Sequence, residues 1–260
     1  MARVPASRQK VLSAVSALPL HIVVELRAPD GRQLFLLGES HVKSRRAAAI
    51  CREAIEGFSL RGVERLQRDQ VFAGRVLGSA LGSVRGALEL LSSGRLAGST
   101  IEVALDLPEG LTVELERTDR VPLALHVGAA SLAVYLGLVL PALVLMPWWS
   151  TVPALKPLRV TVTLLGLHVY ALPLAYVLRA HRWAWAIQPL VTILTVRDDL
   201  LADGIRRMLA THPGEPAVVI VGRAHVKGVV ARLLGHGFRR AAGVRRSLRV
   251  PRRHGGPAEA

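Results

Sequence analysis

Cysteine and aromatic residues are the scarcest materials in this chain. One cysteine, Cys51, in 260 residues excludes an internal disulfide and any zinc site built from cysteines. Set in an apolar-periodic stretch, it reads first as a small core residue and only second as a catalytic thiol. Phe, Trp and Tyr make up 4% of the chain, too little for the stacking platforms of single-stranded nucleic-acid binders. Acid is short as well: 19 Asp and Glu face 34 Lys and Arg, a formal net charge of +15. Such a balance suits either a nucleic-acid binder or a membrane protein facing an anionic leaflet. With so few aromatics the membrane reading is preferred, with lipids as partners rather than nucleic acid.

Charge is missing altogether from two long segments, Leu123 to Trp149 and Val160 to Leu178. As a helix, each reaches about 28 Å or more, enough for the hydrocarbon core of a bilayer. Trp148 and Trp149 close the first segment, and Trp183 and Trp185 lie beyond the second, as interfacial aromatics do. Pro141 and Pro173 fall inside the segments, where lipid-embedded helices tolerate kinks. The concentration of apolar residues in blocks reconciles 51% hydrophobic and 20% charged residues with a mean hydropathy of +0.36. The segments are expected to form a transmembrane hairpin; the alternative is a buried helical hairpin in a soluble domain. Two crossings return the chain to its starting side. Arg117, Arg120, Arg179 and Arg182 flank the pair, against Lys156 and Arg159 in the loop, which favours polar halves in the cytoplasm. The run Val11 to Leu20, behind Arg3, Arg8 and Lys10, has the outline of a signal peptide. Ser13 and Ser16 interrupt it and it continues into a strand, so it is expected to be retained.

The hairpin divides the chain into four parts: residues 1–121 as the first half of an α/β domain, 122–182 as the hairpin, 183–238 as the second half, and 239–260 as a basic disordered tail rich in arginine. In the first half, His21–Leu26 and Gln33–Leu37 read as strands joined by the turn Ala28-Pro29-Asp30-Gly31. Ser44 to Gly57 reads as a helix ending on a C-cap glycine, and Phe58 to Val63 as the next strand. This strand–helix–strand order implies parallel pairing. A helical region over Val71–Gly98 follows, then short strands over Ile101–Leu105 and Thr112–Leu115. The second half reads as a strand over Leu190–Val196, a helix from Asp198 to Leu209, a buried strand over Ala217–Val221, and a helix to about Gly235.

Two stretches repeat: Gly38-Glu39-Ser40-His41-Val42-Lys43 and Gly222-Arg223-Ala224-His225-Val226-Lys227. Each follows an apolar strand and precedes a helix. Glycine permits a sharp turn at a strand's carboxyl end, and the histidine three residues on then projects over the sheet edge where open α/β folds bind ligands. One copy arises easily by chance; two in the same context point to function. His126 and His168, inside the apolar segments, read instead as packing or interfacial residues.

With its two Gly-x-x-His turns, Val63-Glu64 with Arg68 nearby, Asp119-Arg120 midway and Arg197-Asp198 ahead of the second turn, the chain resembles the TraB family. This is the group of TraB, PrgY and GumN proteins, related to the Tiki proteases and to erythromycin-esterase-like and ChaN-like folds. The resemblance runs in order from Gly38 to His225 and implies a mixed, largely parallel sheet flanked by helices. Two departures stand out: Arg65 and Leu66 follow Glu64 where the family has Leu and a small or acidic residue, and an apolar hairpin replaces the family's amphipathic middle. The resemblance implies that His41, Glu64 and His225 converge as ligands of a divalent metal (Mn, Co or Zn) able to activate water. Arg197 would stabilise an oxyanion or hold a carboxylate, Glu39 would serve as general base, and Asp198 would orient a histidine. Gly38, Gly222, Arg68, Asp119 and Arg120 would support the site. The alternatives are that Glu64 and Arg197 form a buried ion pair, Asp198 is a helix N-cap, and Glu39 is solvated. The implied activity is a membrane-associated, metal-dependent hydrolase of peptides or small esters. The alternative is a non-catalytic, peptide-binding regulator of the pheromone-shutdown type.

Overall fold

A computed structural model of the protein describes residues 12–18, 21–39, 43–65, 75, 79, 96–97, 100–117, 122–149, 151–170 and 189–241. Its centre is a six-stranded sheet. In chain order the strands are β1 (Ile22–Arg27), β2 (Gln33–Glu39), β3 (Lys43–Ser44), β4 (Leu60–Val63), β5 (Leu96–Ala97), β6 (Leu111–Glu114), β7 (Ala217–Gly222) and β8 (Arg239–Arg240). The large sheet runs β6-β4-β7-β2-β1-β8, and β3 and β5 form a separate two-stranded ribbon. The first four strands are mutually parallel, whereas β1 is antiparallel to β2 and to β8. This is the mixed, largely parallel α/β sheet flanked by helices expected from the sequence. The strands β2 and β4, joined by a helix, are parallel but not adjacent, because β7 from the far end of the chain lies between them.

The reason for that placement is visible in the residues. All six positions of β7 are buried, as are Leu34 to Glu39 of β2 and all of β4. Strands without a polar face need cover on both sides, and the helices supply it. On one face lie α7 (Pro189–Thr211) and α8 (Arg223–Gly235), whose Leu201, Ile205, Met208, Val229 and Leu233 pack on Leu34, Leu36, Leu60, Val219 and Val221. On the other lie α1 (Arg45–Glu56) and α2 (Thr100–Asp106), with Cys51, Ile55 and Ala104 against Phe35, Leu37, Val63, Val218 and Ile220. Each fully buried aliphatic side chain contributes roughly 1.5–3 kcal/mol of transfer free energy.

The β1–β2 turn uses its glycine as the sequence suggests. Gly31 adopts φ +83° and donates to the Ala28 carbonyl at 2.8 Å. Arg32 donates to the carbonyls of Leu209 and His212, both at 2.6 Å, and so ties the turn to the carboxyl end of α7, where a cation also meets the helix dipole favourably.

Four local expectations are corrected. Ile101–Leu105 is helical, within α2, with Ile101 and Ala104 buried one turn apart. Leu190–Val196 is the start of α7 rather than a strand. Pro189 suits the first helical position, and the buried stripe Ile193, Arg197, Leu201, Ile205, Met208 has helical spacing. Asp198 therefore lies inside α7 and is not an N-cap. Arg239 and Arg240, assigned to the tail, form β8 on β1; residues 242–260 lie outside the described residues, as does most of the helix expected over Val71–Gly98, whose end at Leu96–Ala97 is β5.

The apolar segment 123–149 is helical: α3 (Leu123–Val134), a π-helical turn at Tyr135–Val139, α4 (Leu140–Val144) and α5 (Met146–Trp149). The wide turn immediately precedes Pro141, whose ring and missing N–H disrupt the bonding of the preceding turn. The start of α3 packs on α7, with Leu125 and Ala129 fully buried. Farther on, Val134, Leu138, Val144, Leu145 and Trp148 are exposed. Among the described residues, Leu123–Val144 is the one helix long and apolar enough to cross a membrane. The second apolar segment is described only to Tyr170, as α6 (Lys156–Tyr170), which folds back onto α4 and the π-helical turn.

Gly204 of α7 sits against the strand layer so closely that a Cβ there would lie 2.0 Å from the Leu115 carbonyl oxygen. Gly204→Ala is expected to destabilise the fold by about 1–3 kcal/mol, against the roughly 1 kcal/mol that alanine gains as a helix former. Gly235→Ala, where a Cβ meets nothing within 4 Å, is expected to be near neutral. Chemical unfolding midpoints in detergent compare the two.

Candidate functional site at the carboxyl edge of the sheet

Parallel strands deliver their carboxyl ends to one edge, and each of the four here ends in or beside a charged or glycine position. In register, Glu39 of β2 stands opposite Gly222 of β7, Val63 of β4 opposite Ile220, and Val63 opposite Glu114 of β6. The ladder continues one residue further on either side of β4. The Glu64 amide donates to Ile220 O and the Leu115 amide to Val63 O, both at 3.0 Å. Glu64 and Glu116 thus leave the sheet beside Gly222, where α8 begins and carries His225 in its first turn.

On the α7–α8 face these groups interlock. Glu64 accepts the Gly222 amide with Oε2, while its Oε1 lies 2.7 Å from Arg197 Nη2 and 3.5 Å from His225 Nε2. Arg197 also grips Glu116 with two bonds, Nε to Oε1 at 2.6 Å and Nη2 to Oε2 at 2.7 Å. His225 Nδ1 is 2.7 Å from Asp198 Oδ1, and Arg232 Nη1 stands 3.5 Å from Asp198 Oδ2. Arg232 further binds the Asp199 carboxylate and the carbonyls of Gly228 and Thr195. Glu64, Glu116, Arg197, Asp198 and His225 are all buried. Burial alone would disfavour charge on Arg197, but the nearby Glu116 and Glu64 carboxylates outweigh it, and its pKa is raised above the ordinary arginine value. The guanidinium is a fixed positive charge here.

Glycines make the close approach possible. A Cβ on Gly228 would fall 1.6 Å from Asp198 Oδ2, so only glycine lets that carboxylate lie against α8. A Cβ on Gly38 would fall 2.2 Å from Val226 Cγ2. The glycine of the first Gly-x-x-His turn is therefore the seat for the residue that follows the histidine of the second. The two turns differ in shape: α8 starts directly after Gly222, whereas β2 runs on through Glu39 and α1 starts only at Arg45.

Glu39 points to the opposite face, toward α1 and α2. Its carboxylate accepts the Thr100 amide, with Oε1 at 3.0 Å and Oε2 at 3.3 Å, at the start of α2. Beside it lie His21, just before β1, and Cys51 of α1. Among the described residues, these three are the one group of three His, Cys, Asp or Glu side chains whose ligand atoms all lie within 4.8 Å of one another, and the group could hold a metal ion. All three are buried. The sequence excludes an all-cysteine site, but not this mixed set.

Of the residues singled out from the sequence, the structure brings together Gly38, Gly222, Glu64, Arg197, Asp198 and His225. It separates Glu39 from Arg197 and His225 by the thickness of the sheet. His41, Arg68, Asp119 and Arg120 lie outside the described residues. Glu64 and Arg197 are a buried ion pair, the plainer of the two readings open from sequence. Glu116, Arg232, Gly228 and His21 went unread. Glu116 alone carried a usable signal, since it follows the end of β6 much as Glu64 follows β4. Arg61, fully buried in β4, is also structural: it donates to Phe58 O and Thr112 Oγ1 at 3.1 Å and to the Glu109 carbonyl. The chain matches no protein-family model and no curated protein.

Removing Glu116 leaves Arg197 buried with one carboxylate in place of two. Glu116→Ala is expected to cost about 1.5–3 kcal/mol, because the guanidinium keeps Glu64 but loses its two charge-assisted bonds to Glu116. A fall in the urea midpoint of that size checks it; a change below about 1 kcal/mol would show that the pair is solvated.

Proposed function

We propose that the chain is a membrane-associated hydrolase of the peptidase or esterase type, the TraB-like activity that its motifs imply. The observation that carries this reading is the Asp198–His225 pair at 2.7 Å, set at the carboxyl edge of four parallel strands beside Glu64 and the Gly222 amide. A carboxylate that accepts from Nδ1 fixes the imidazole tautomer and leaves the lone pair on Nε2. That nitrogen can take a proton from an attacking water, and Asp198 then stabilises the imidazolium that forms.

Of the metal set implied by resemblance, His41, Glu64 and His225, the described residues supply Glu64 and His225. Their nearest donor atoms are 3.5 Å apart, but Arg197 occupies the same Glu64 oxygen. A metal ion there would have to displace a guanidinium held by two carboxylates. Proton transfer is accordingly assigned to His225 itself, and Arg197 acts by holding Glu64 and Glu116 in place. That engagement of Arg197 favours a second reading, in which the edge captures a peptide signal without turning it over.

Membrane attachment falls to the apolar helices. The start of α3 is packed on α7, and Leu123–Val144 is the described helix that is long and apolar enough to cross a hydrocarbon core. Strands before and after this segment are hydrogen-bonded in one sheet, and an open sheet cannot straddle a bilayer. A crossing by this helix therefore requires a return crossing before α7. The second apolar segment, which begins in α6 and packs back on α4, is assigned that role, with the polar domain in the cytoplasm.

Hydrolysis of a fluorogenic peptide and ester panel by detergent-purified protein, with Mn²⁺, Co²⁺, Zn²⁺ or chelator, tests the activity. His225→Ala and Asp198→Asn are each expected to lower kcat/KM by about 10²–10⁴-fold. Undiminished turnover in His225→Ala refutes the assignment, and saturable peptide binding without turnover selects the second reading. Leu138, 67% exposed in the apolar helix, gives the membrane test: Leu138→Lys adds about 3–4 kcal/mol to insertion, and should convert carbonate-resistant protein to an extractable form.

A further inference from the structure

We propose that His21, Glu39 and Cys51 form a binding site for a divalent, thiolate-accepting metal ion of the zinc class, on the sheet face opposite His225. The three donors come from separate elements: the residue before β1, the last residue of β2, and the middle of α1. Their ligand atoms lie within 4.8 Å of one another. Zinc–ligand bonds of about 2.0–2.3 Å place tetrahedral ligands roughly 3.3–3.8 Å apart, so closing on an ion needs movements of about an ångström or less.

The donor set argues for the ion's class. Imidazole, thiolate and carboxylate together suit Zn²⁺ and its probe Co²⁺, whereas Mg²⁺ and Ca²⁺ call for oxygen donors throughout. Charge argues the same way. As the Cys51 Sγ–metal bond forms, the thiol proton passes to solvent, and one thiolate plus one carboxylate then neutralise a dication in a place where net charge is costly. Glu39 is already oriented, because the Thr100 amide holds its carboxylate from the α2 side. Such outer contacts fix ligand geometry in zinc sites. Three protein donors leave one coordination position for water or a small ligand. The site owes nothing to the hydrolase reading, since it shares no residue with the Glu64–His225 cluster.

Because Cys51 is the chain's one cysteine, a thiolate-to-cobalt charge-transfer band can arise from no other residue. Full-length protein, purified in detergent under reducing conditions and stripped with chelator, is titrated with Co²⁺. The expected result is a near-ultraviolet charge-transfer band and tetrahedral visible bands saturating at one equivalent and lost on adding Zn²⁺. Cys51→Ser should abolish the charge-transfer band, His21→Ala and Glu39→Gln should weaken or abolish the visible bands, and His225→Ala should leave both unchanged. Folded wild-type protein without the charge-transfer band overturns the site, whatever the variants do. So does a band that disappears in His225→Ala while that variant remains folded by circular dichroism. The readout needs no substrate, so a failed hydrolase assay leaves the metal site standing, and a missing band leaves the hydrolase reading untouched.

Discussion

Parallel pairing of β7 with β2 on one side and β4 on the other is the constraint from which the remaining structure follows. Six register pairs join β2 to β7, and four join β7 to β4. Without β7 the strands that flank it would each lose a partner, and backbone groups and apolar side chains now buried would lie open to water. With it, a segment nearly at the end of the chain becomes the middle of the sheet. Everything inserted between β6 and β7, including the apolar helices, must then leave and rejoin the domain at neighbouring points.

The same pairing sets the electrostatics of the edge. Glu64 and Glu116 come from strands of the first half, and Arg197, Asp198 and His225 from helices of the second. Only when β7 is seated do the two sets meet, and the buried guanidinium is then compensated by two carboxylates. A buried ion of either sign alone would cost several kcal/mol. The cluster therefore penalises wrong register: a slip of β7 by one residue would turn Val219 and Val221 to the other face and carry the Gly222 amide away from Glu64.

The sheet also divides the chemistry in two. Side chains alternate across a strand, so Gly38 and Glu39, adjacent in sequence, serve different faces. Gly38 admits Val226 of α8, and Glu39 meets Thr100, His21 and Cys51. Each face thus has its own buried polar group under its own helices: an ion-paired chain beneath α7 and α8, and a set of metal-capable donors beneath α1 and α2.

The chain's own pattern of residues determined the fold class, the long apolar segment and most strands, because periodicity and charge-free length are local properties written in consecutive residues. The buried strands at Gln33–Leu37, Phe58–Val63 and Ala217–Val221, and the helices at Ser44–Gly57 and before Gly235, were legible for that reason. The run Leu190–Val196 was misread because a short apolar stretch carries no period of its own, and it forms the first turns of one continuous helix that packs on α3. Tertiary structure alone decided the strand order, the second carboxylate on Arg197, the separation of Glu39 from His225, and the meeting of His21 with Cys51. Those depend on which distant segments share a surface, and contacts across the sheet leave no spacing in the sequence from which they could be read.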